Sequence, residues 1–437
     1  MEYFTLTDFN QVIEIKKYHK SSYKIETICP ICGKKSLGTL IYKDRYHDKV
    51  NIKINCPEHP NIYPFNKNSK LYFSSKKIVE KCLPNSYSKF KAFDDRYLKF
   101  ATHIQIDITT RCNLNCKFCF AEQNNEKDIS WEIIEKNLKR IKSKPKPCVV
   151  LIGGEPTLRK DLPTIIKKIR ELGFPVKLAT NGIKLKDINY LKKLMKAGLD
   201  WVVLQFDGFS SKIYSELRGK ELLEVKLKVL QNLEKLNIRT QLSVMVDKFT
   251  NLDQIGQILK FAFVSNHIFW VSFYPHSFTS HINQSNNCED STFLNDIFTK
   301  MQNIPNVDIQ LRDIICLKRI WTFLYLLMRK NSFRPRTCHY PLILFKLKDR
   351  IYPLNKLLDL RFSLRNLSFI FKLIKNIPNF LQYSKSKISN EFLFLSIEKF
   401  YDIFNLDLRE VKNCHNLYLT NKGFIPVCLY NSLYRGK

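Results

Sequence analysis

Between about residues 101 and 305 the chain alternates six short β-type runs with amphipathic helical stretches, and no other feature restricts the fold as much. The runs are HIQIDITT, CVVLIGG, PVKLATNG, WVVLQFDG, RTQLSVMV and FWVSFYPHS. Between them lie segments such as DLPTIIKKIRELG and ELLEVKLKVLQNLEKLN, whose apolar residues recur at three and four positions. Consecutive strand-helix units build parallel sheets with right-handed crossovers. The expected fold class is α/β, a parallel sheet of six βα units closed or partly closed into a barrel.

In such folds the carboxyl ends of the strands carry the ligand site. Of only 12 glycines in the chain, Gly153, Gly154, Gly182 and Gly208 fall where a strand run ends. The first run leads into TTRCNLNCKFCFAEQ, in which Cys112, Cys116 and Cys119 are spaced C-x3-C-x2-C. Three thiols in one loop are an odd number to pair as disulfides, so metal is the more natural reading. A cubane of four irons normally takes four thiolates, and three leave one iron open to a chelating small molecule. S-adenosylmethionine is such a molecule: its amino and carboxylate groups chelate, and its carbon-sulfur bond can be broken by one-electron reduction.

This loop, with Phe118 before its last cysteine, resembles the signature of the radical S-adenosylmethionine superfamily. GGEP at Gly153 to Pro156 resembles that family's element for the methionine amine, with Gly153 and Gly154 allowing close backbone approach and Glu155 accepting from the ammonium. Asn181 in ATNG, and Gln205 and Asp207 in LQFDG, end the third and fourth runs, where a ribose or substrate would lie. The resemblance implies a 4Fe-4S cluster on Cys112, Cys116 and Cys119, with S-adenosylmethionine held by Phe118, Gly153, Gly154, Glu155, Asn181, Gln205 and Asp207. It also implies an electron donor such as ferredoxin or flavodoxin, and a 5'-deoxyadenosyl radical that abstracts hydrogen from an unactivated carbon.

Two regions flank the barrel. In residues 1–100, CPICG and CPEH face one another across what reads as a hairpin, so that Cys29, Cys32, Cys56 and His59 offer four tetrahedral ligands to zinc or a mononuclear iron. Residues 101–305 form the barrel, and residues 306–437 are expected to be an irregular, α-rich extension. Its Cys316, Cys338, Cys414 and Cys428 are candidate ligands of an auxiliary iron-sulfur cluster, while Cys148 and Cys288 read as ordinary thiols and His276 and His339 as polar contacts. The stretch from LQFDG to VLQNL, NLDQIGQILKFA, and the tail LDLREVKNCHNLYLTNKGFIPVCLYN resemble the subgroup of archaeal tetraether lipid synthase and the dihydropterin methylating enzymes. The amino-terminal knuckles match that subgroup's rubredoxin-like domain. The chain departs from the subgroup in having Cys82 alone before the first barrel run and no second cysteine near Cys338.

A net charge of +32 would attract nucleic acid, anionic lipid or an acidic partner, but it fits a solvated lysine-rich surface equally well. No RNA-binding module is recognisable, so nucleic acid is not an expected partner. The amino terminus lacks the order of a secretory signal, and IWTFLYLLM is about half the length needed to cross a bilayer. The expected location is the cytoplasm, with peripheral contact at the inner membrane face. RFSLRNLSFIFKLIKNIPNFL sets Phe362, Leu364, Leu367, Phe369, Ile370, Phe371 and Leu373 beside Arg361, Arg365 and Lys372. It reads either as an interfacial helix or as a helix packed on the barrel. The leading expectation is a transferase of lipid biosynthesis that forms carbon-carbon bonds on a lipid chain. The alternatives are methylation of a pterin or other small heterocycle, RNA modification, and a binding module with a degenerate barrel, against which the intact cysteine triplet and GGEP argue.

Overall fold

The computed structural model describes residues 22–32, 34–42, 50–66, 93–121, 128–276, 294–328, 338–368, 392–402 and 405–435. Cys82, Cys288 and the stretch from Phe369 to Leu373, including Lys372, lie outside the described residues. The amino-terminal unit is an antiparallel meander of β1 (Ser22–Ile28), β2 (Lys35–Tyr42), β3 (Val50–Ile54) and β4 (Asn61–Asn66). Its two knuckles precede β2 and follow β3, as a hairpin reading of the sequence requires.

All six expected barrel strands form: β5 (His103–Asp107), β6 (Cys148–Ile152), β7 (Val176–Thr180), β8 (Trp201–Gln205), β9 (Thr240–Val246) and β10 (Ile268–Pro275). Each pairs in parallel with the next. The crossovers carry α1 (Trp131–Lys139), α2 (Leu162–Glu171), α3 (Ile188–Lys196), α4 (Ser211–Arg218), α5 (Leu223–Lys235) and α6 (Ile255–Val264). Strand side chains alternate between two faces. On β6, Val149 and Leu151 join the core beneath the helices, while Val150 and Ile152 face the interior cavity. Ile165, Ile166 and Ile169 of α2 supply the helical side of that core.

The extension departs from the irregular, α-rich expectation. After α7 (Leu294–Gln302), which ends the barrel region, the extension carries α8 (Leu311–Met328) and the short α9 (Leu360–Arg365), and it also supplies β11 (His339–Leu347), β12 (Arg350–Pro353), β13 (Phe392–Glu398), β14 (Asn416–Thr420) and β15 (Gly423–Pro426). β13 adds in parallel to β10 and β14 in parallel to β5, so eight parallel strands stand within one 11-stranded sheet. The reason is the sheet's own two edges: an open six-stranded sheet leaves unpaired N–H and C=O groups on both sides, and these strands cover them. Ile25, Ile28, Leu40 and Ile52 of the amino-terminal meander share a core with Leu406, Tyr418, Ile425 and Leu429 of the extension. Among the described residues no helix is long and apolar enough to cross a membrane.

Candidate active site

The loop after β5 brings Cys112, Cys116 and Cys119 together at the carboxyl end of the sheet, where all three line the interior cavity. Burial pushes the Cys112 thiol up to about 11, and the neighbouring Glu155, Cys116 and Cys119 push in the same direction. Cys119 is likewise raised, chiefly by burial, with Arg218 and Arg435 opposing. Three thiolates this close disfavour one another, and a bound cationic group removes the conflict by deprotonating its ligands. The donor set therefore fits an iron-sulfur cluster with three protein ligands.

GGEP is joined to that loop through backbone. Gly154 N donates to Thr109 O and Glu155 N to Arg111 O, each at 2.8 Å. A Cβ on Gly153 would stand 2.2 Å from Thr109 O, and one on Gly154 would stand 2.2 Å from Arg111 O. The close approach expected of these glycines is thus made to the cysteine loop itself. The Glu155 carboxylate is buried, and its Oε1 accepts from Thr157 N at 3.1 Å and from the Thr157 and Thr180 hydroxyls at 2.6 Å. Its Oε2 accepts from Asn181 N at 2.8 Å and keeps acceptor capacity for an ammonium.

Three of the expected ribose or substrate contacts are committed elsewhere. Asn181 Nδ2 donates to Asn113 Oδ1 of the cysteine loop at 2.7 Å. Gln205 donates to Asp207, and its Oε1 accepts from Lys226 Nζ at 2.6 Å. Asp207, fully buried, holds Arg218 at the end of α4, and the Arg218 guanidinium lines the same cavity as Cys116, near enough for the two to interact electrostatically. Lys117 N donates to Leu217 O at 3.0 Å, and a Cβ on Gly219 would stand 3.0 Å from Asn115 O, so the end of α4 abuts the cysteine loop. These residues position the loop, because a carboxylate buried without a cation would carry a large desolvation cost.

Residues 106–262, which run from the end of β5 through the cysteine loop and β6 to β9 into α6, match the family described as the Radical SAM superfamily. The chain carries a radical SAM domain. It is 28% identical, over 94% of its own length and 94% of the relative's, to a 7,8-dihydro-6-hydroxymethylpterin dimethyltransferase from Methanocaldococcus jannaschii. It is 33% identical to a probable GTP 3',8-cyclase from Pyrococcus abyssi over 38% of its own length and 55% of the relative's. Among solved structures it is similar to Streptococcus suis SuiB bound to the precursor peptide SuiA, with a TM-score of 0.39, 16% identity, and coverage of 70% of this chain and 71% of that one.

The radical SAM enzyme's interior holds a cavity of about 500 Å³ that runs from the cysteine loop down between the strands. Phe118 stacks on His276 at its mouth, with ring centroids 4.5 Å apart and planes within 7°. The tail closes one side: Arg435 pairs with Asp107 at 2.8 Å and lies over the Phe120 ring at 5.0 Å. Burial raises Asp107 even so, with Arg435 opposing. Neither Arg218 nor Arg435 carries a sequence signal that assigns it a role. Arg218 is marked only by the glycine that ends its helix.

The amino-terminal ligands of the radical SAM enzyme do converge. The donor atoms of Cys29, Cys32, Cys56 and His59 all lie within 4.8 Å of one another. Cys32 and Cys56 sulfurs are 3.8 Å apart, and His59 Nδ1 lies 3.9 Å from both Cys29 and Cys56 sulfurs. A tetrahedral ion with metal-sulfur bonds of about 2.3 Å has ligand-ligand edges of about 3.8 Å, so the four fit one zinc or iron. Burial opposes ionisation of Cys56, but the Glu58 and His59 backbone N–H groups and the His59 ring bring it down to about 6. The four cysteines of the extension are dispersed by comparison. Cys338 and Cys428 pack into the core shared with the knuckles, Cys316 sits beside Asp313 and Arg319, and Cys414 Sγ donates to Asn416 O at 3.2 Å.

Proposed function

We propose that this radical SAM enzyme methylates a small polar heterocycle of the pterin class. The observation that carries the reading is the chemistry of the cavity wall. Inward positions of parallel barrels are ordinarily filled by branched aliphatic side chains. Here Lys177, Gln241, Ser243 and Ser396 stand at such positions on β7, β9 and β13. A lipid chain would leave the Gln241 Oε1 acceptor and the Lys177 amine without a polar ligand group to meet. A relative aligned over 94% of the chain, whose name is that of a pterin dimethyltransferase, supports the same choice.

Cys112, Cys116 and Cys119 would hold the cluster, and Glu155 Oε2 with the backbone of Gly153 and Gly154 would hold the methionine amine. When bound, the cluster and S-adenosylmethionine supply reductive cleavage of a carbon-sulfur bond and hydrogen abstraction from carbon. The chain's own part is to fix the loop through Arg218, Asn181 and the two glycines, and to keep water from the cavity with β14 and the Arg435 tail. The test is anaerobic reconstitution with a 6-hydroxymethyl dihydropterin, reading 5'-deoxyadenosine and methylated pterin by mass spectrometry. Cofactor cleavage without any pterin product overturns the reading.

A second reading, carbon-carbon bond formation on a lipid at a membrane surface, draws on one observation. Leu358, Leu364 and Leu367 are 70%, 59% and 49% exposed beside Arg361 and Arg365. Phe362, expected on the same surface, instead packs on Phe345 and Tyr352 with centroids 6.2 and 5.1 Å away. Coupled lipid products in a parallel reconstitution with lipid extract, together with salt-sensitive sedimentation on anionic liposomes, would favour this reading.

A further inference from the structure

We propose that the cavity wall reads the 2-aminopyrimidin-4-one edge of a planar bicyclic heterocycle, with Glu398 and Gln241 accepting from its N–H groups and Lys177 donating to its carbonyl. The inference rests on the pterin-class reading and names the residues that would give it specificity. A hydrogen-bonded chain crosses three strands. Gln241 Nε2 donates to Ser272 Oγ at 2.8 Å, Ser272 and Ser396 hydroxyls are 2.8 Å apart, and Ser396 Oγ donates to Glu398 Oε1 at 3.1 Å. Trp270 Nε1 also donates to Ser396 Oγ, at 2.9 Å. Read from Gln241 to Glu398, each hydroxyl accepts and then gives its one proton, so the direction of the chain is determined.

What this chain leaves over defines the ligand. Gln241 is 3% exposed, and its Oε1 has no hydrogen-bond partner among the described residues. Glu398 takes its hydrogen bond at Oε1, and His339 Nε2 approaches that same oxygen at 3.7 Å. Lys177 is buried, makes no ion pair among the described residues, and lies with Nζ 5.6 Å from the Trp201 ring centroid. Two acceptors and one amine donor are thus turned on one cavity, with Trp270 and Phe394, 5.8 Å apart, as aromatic wall. Buried polar groups left unpaired are costly, and a ligand that completes them gains specificity from the same cost. An aminopyrimidinone carries a ring N–H and an exocyclic amine side by side and a ring carbonyl next to them, on a face that stacks on aromatic rings. Pterins and guanine share this edge.

The test uses the anaerobic holoenzyme with S-adenosylmethionine and follows binding of 6-hydroxymethylpterin by its own fluorescence. The comparators are 6-hydroxymethyllumazine, which carries oxygen in place of the exocyclic amine, and guanosine. Wild-type protein should prefer the pterin to the lumazine by about 10- to 100-fold, the range of a charge-assisted hydrogen bond. Glu398→Gln should remove that preference, and Lys177→Met and Gln241→Leu should each weaken pterin binding by about tenfold or more. Iron content and knuckle metal check that each variant is folded. Guanosine binding that depends on Glu398 supports the edge and assigns it to a purine source. Pterin binding unaltered by Glu398→Gln and Lys177→Met overturns this inference while leaving the pterin reading standing. Wild-type protein that binds neither pterin nor guanosine overturns both.

Discussion

Asp207 grips Arg218 through two hydrogen bonds of 2.7 and 2.8 Å, and the guanidinium so fixed lines the same cavity as Cys116, where its charge acts on that sulfur. Asp207 is fully buried and the Arg218 side chain is 11% exposed, so neither charge can be compensated by water. Removing one partner of such a pair costs about 3–5 kcal/mol. Asp207→Asn should lower unfolding stability by about that much and reduce iron held at the cysteine loop. Denaturant unfolding and iron analysis measure the two effects, and a loss below about 1 kcal/mol would mean that the pair is solvated.

Replacing Cys112, Cys116 and Cys119 together by Ala should abolish 5'-deoxyadenosine formation after dithionite reduction and leave the knuckle metal in place. Product formation by the triple variant would show that the cluster is bound elsewhere.

Gly154→Ala should behave quite unlike Gly173→Ala. The new methyl at 154 would meet Arg111 O at 2.2 Å, whereas at 173 nothing lies within 4 Å and only the positive φ of 83° is strained. The second change should cost about 1–2 kcal/mol and keep cofactor cleavage. The first should displace the cysteine loop, which iron stoichiometry and the cluster's absorption would report.

Lys226 gives a pH signature. Burial brings its amine down to about 7, with Asp207 opposing and Arg218 adding to the effect, whereas in the unfolded chain it returns to about 10.4. Between these values the unfolded state binds more protons, so the contribution to stability is complete above about 10.4 and is lost as pH falls through about 7. Lys226→Met should remove that rise, seen as a flatter change of denaturant midpoint between about pH 7 and pH 9.

Cys56→Ser should cost the protein one metal ion and destabilise more than the small meander. Cys29 and Cys56 are buried in the same core as Leu408, Tyr418 and Cys428, so proteolysis of the variant should cut within 405–435 as well as near the knuckles. Cleavage confined to the knuckles would show that the two parts are independent.

The six barrel strands were legible because each is a short apolar run bounded by turn signals and spaced by helical periodicity, as CVVLIGG and WVVLQFDG show. The cysteine triplet and the knuckles were legible for the same local reason. β13 and β14 were not. FLFLSIE and NLYLT carry strand character, but their parallel pairing with β10 and β5 is set by sheet edges more than a hundred residues away. Asp207 misled for a related reason: its place at a strand end fits a ligand contact, and only the fold reveals that Arg218 reaches it first.

The parallel docking of β14 on β5, with Arg435 reaching Asp107, also has a timetable attached. During synthesis the barrel strands through β10 emerge well before residues 416–435, and contacts of such long sequence separation form late. Until they form, the edge of β5 and the thiols that follow it face solvent on the side the tail will occupy. Iron delivery to Cys112, Cys116 and Cys119 therefore has its widest access in the interval before the tail closes, and a chain that docks its tail first must reopen it to be loaded.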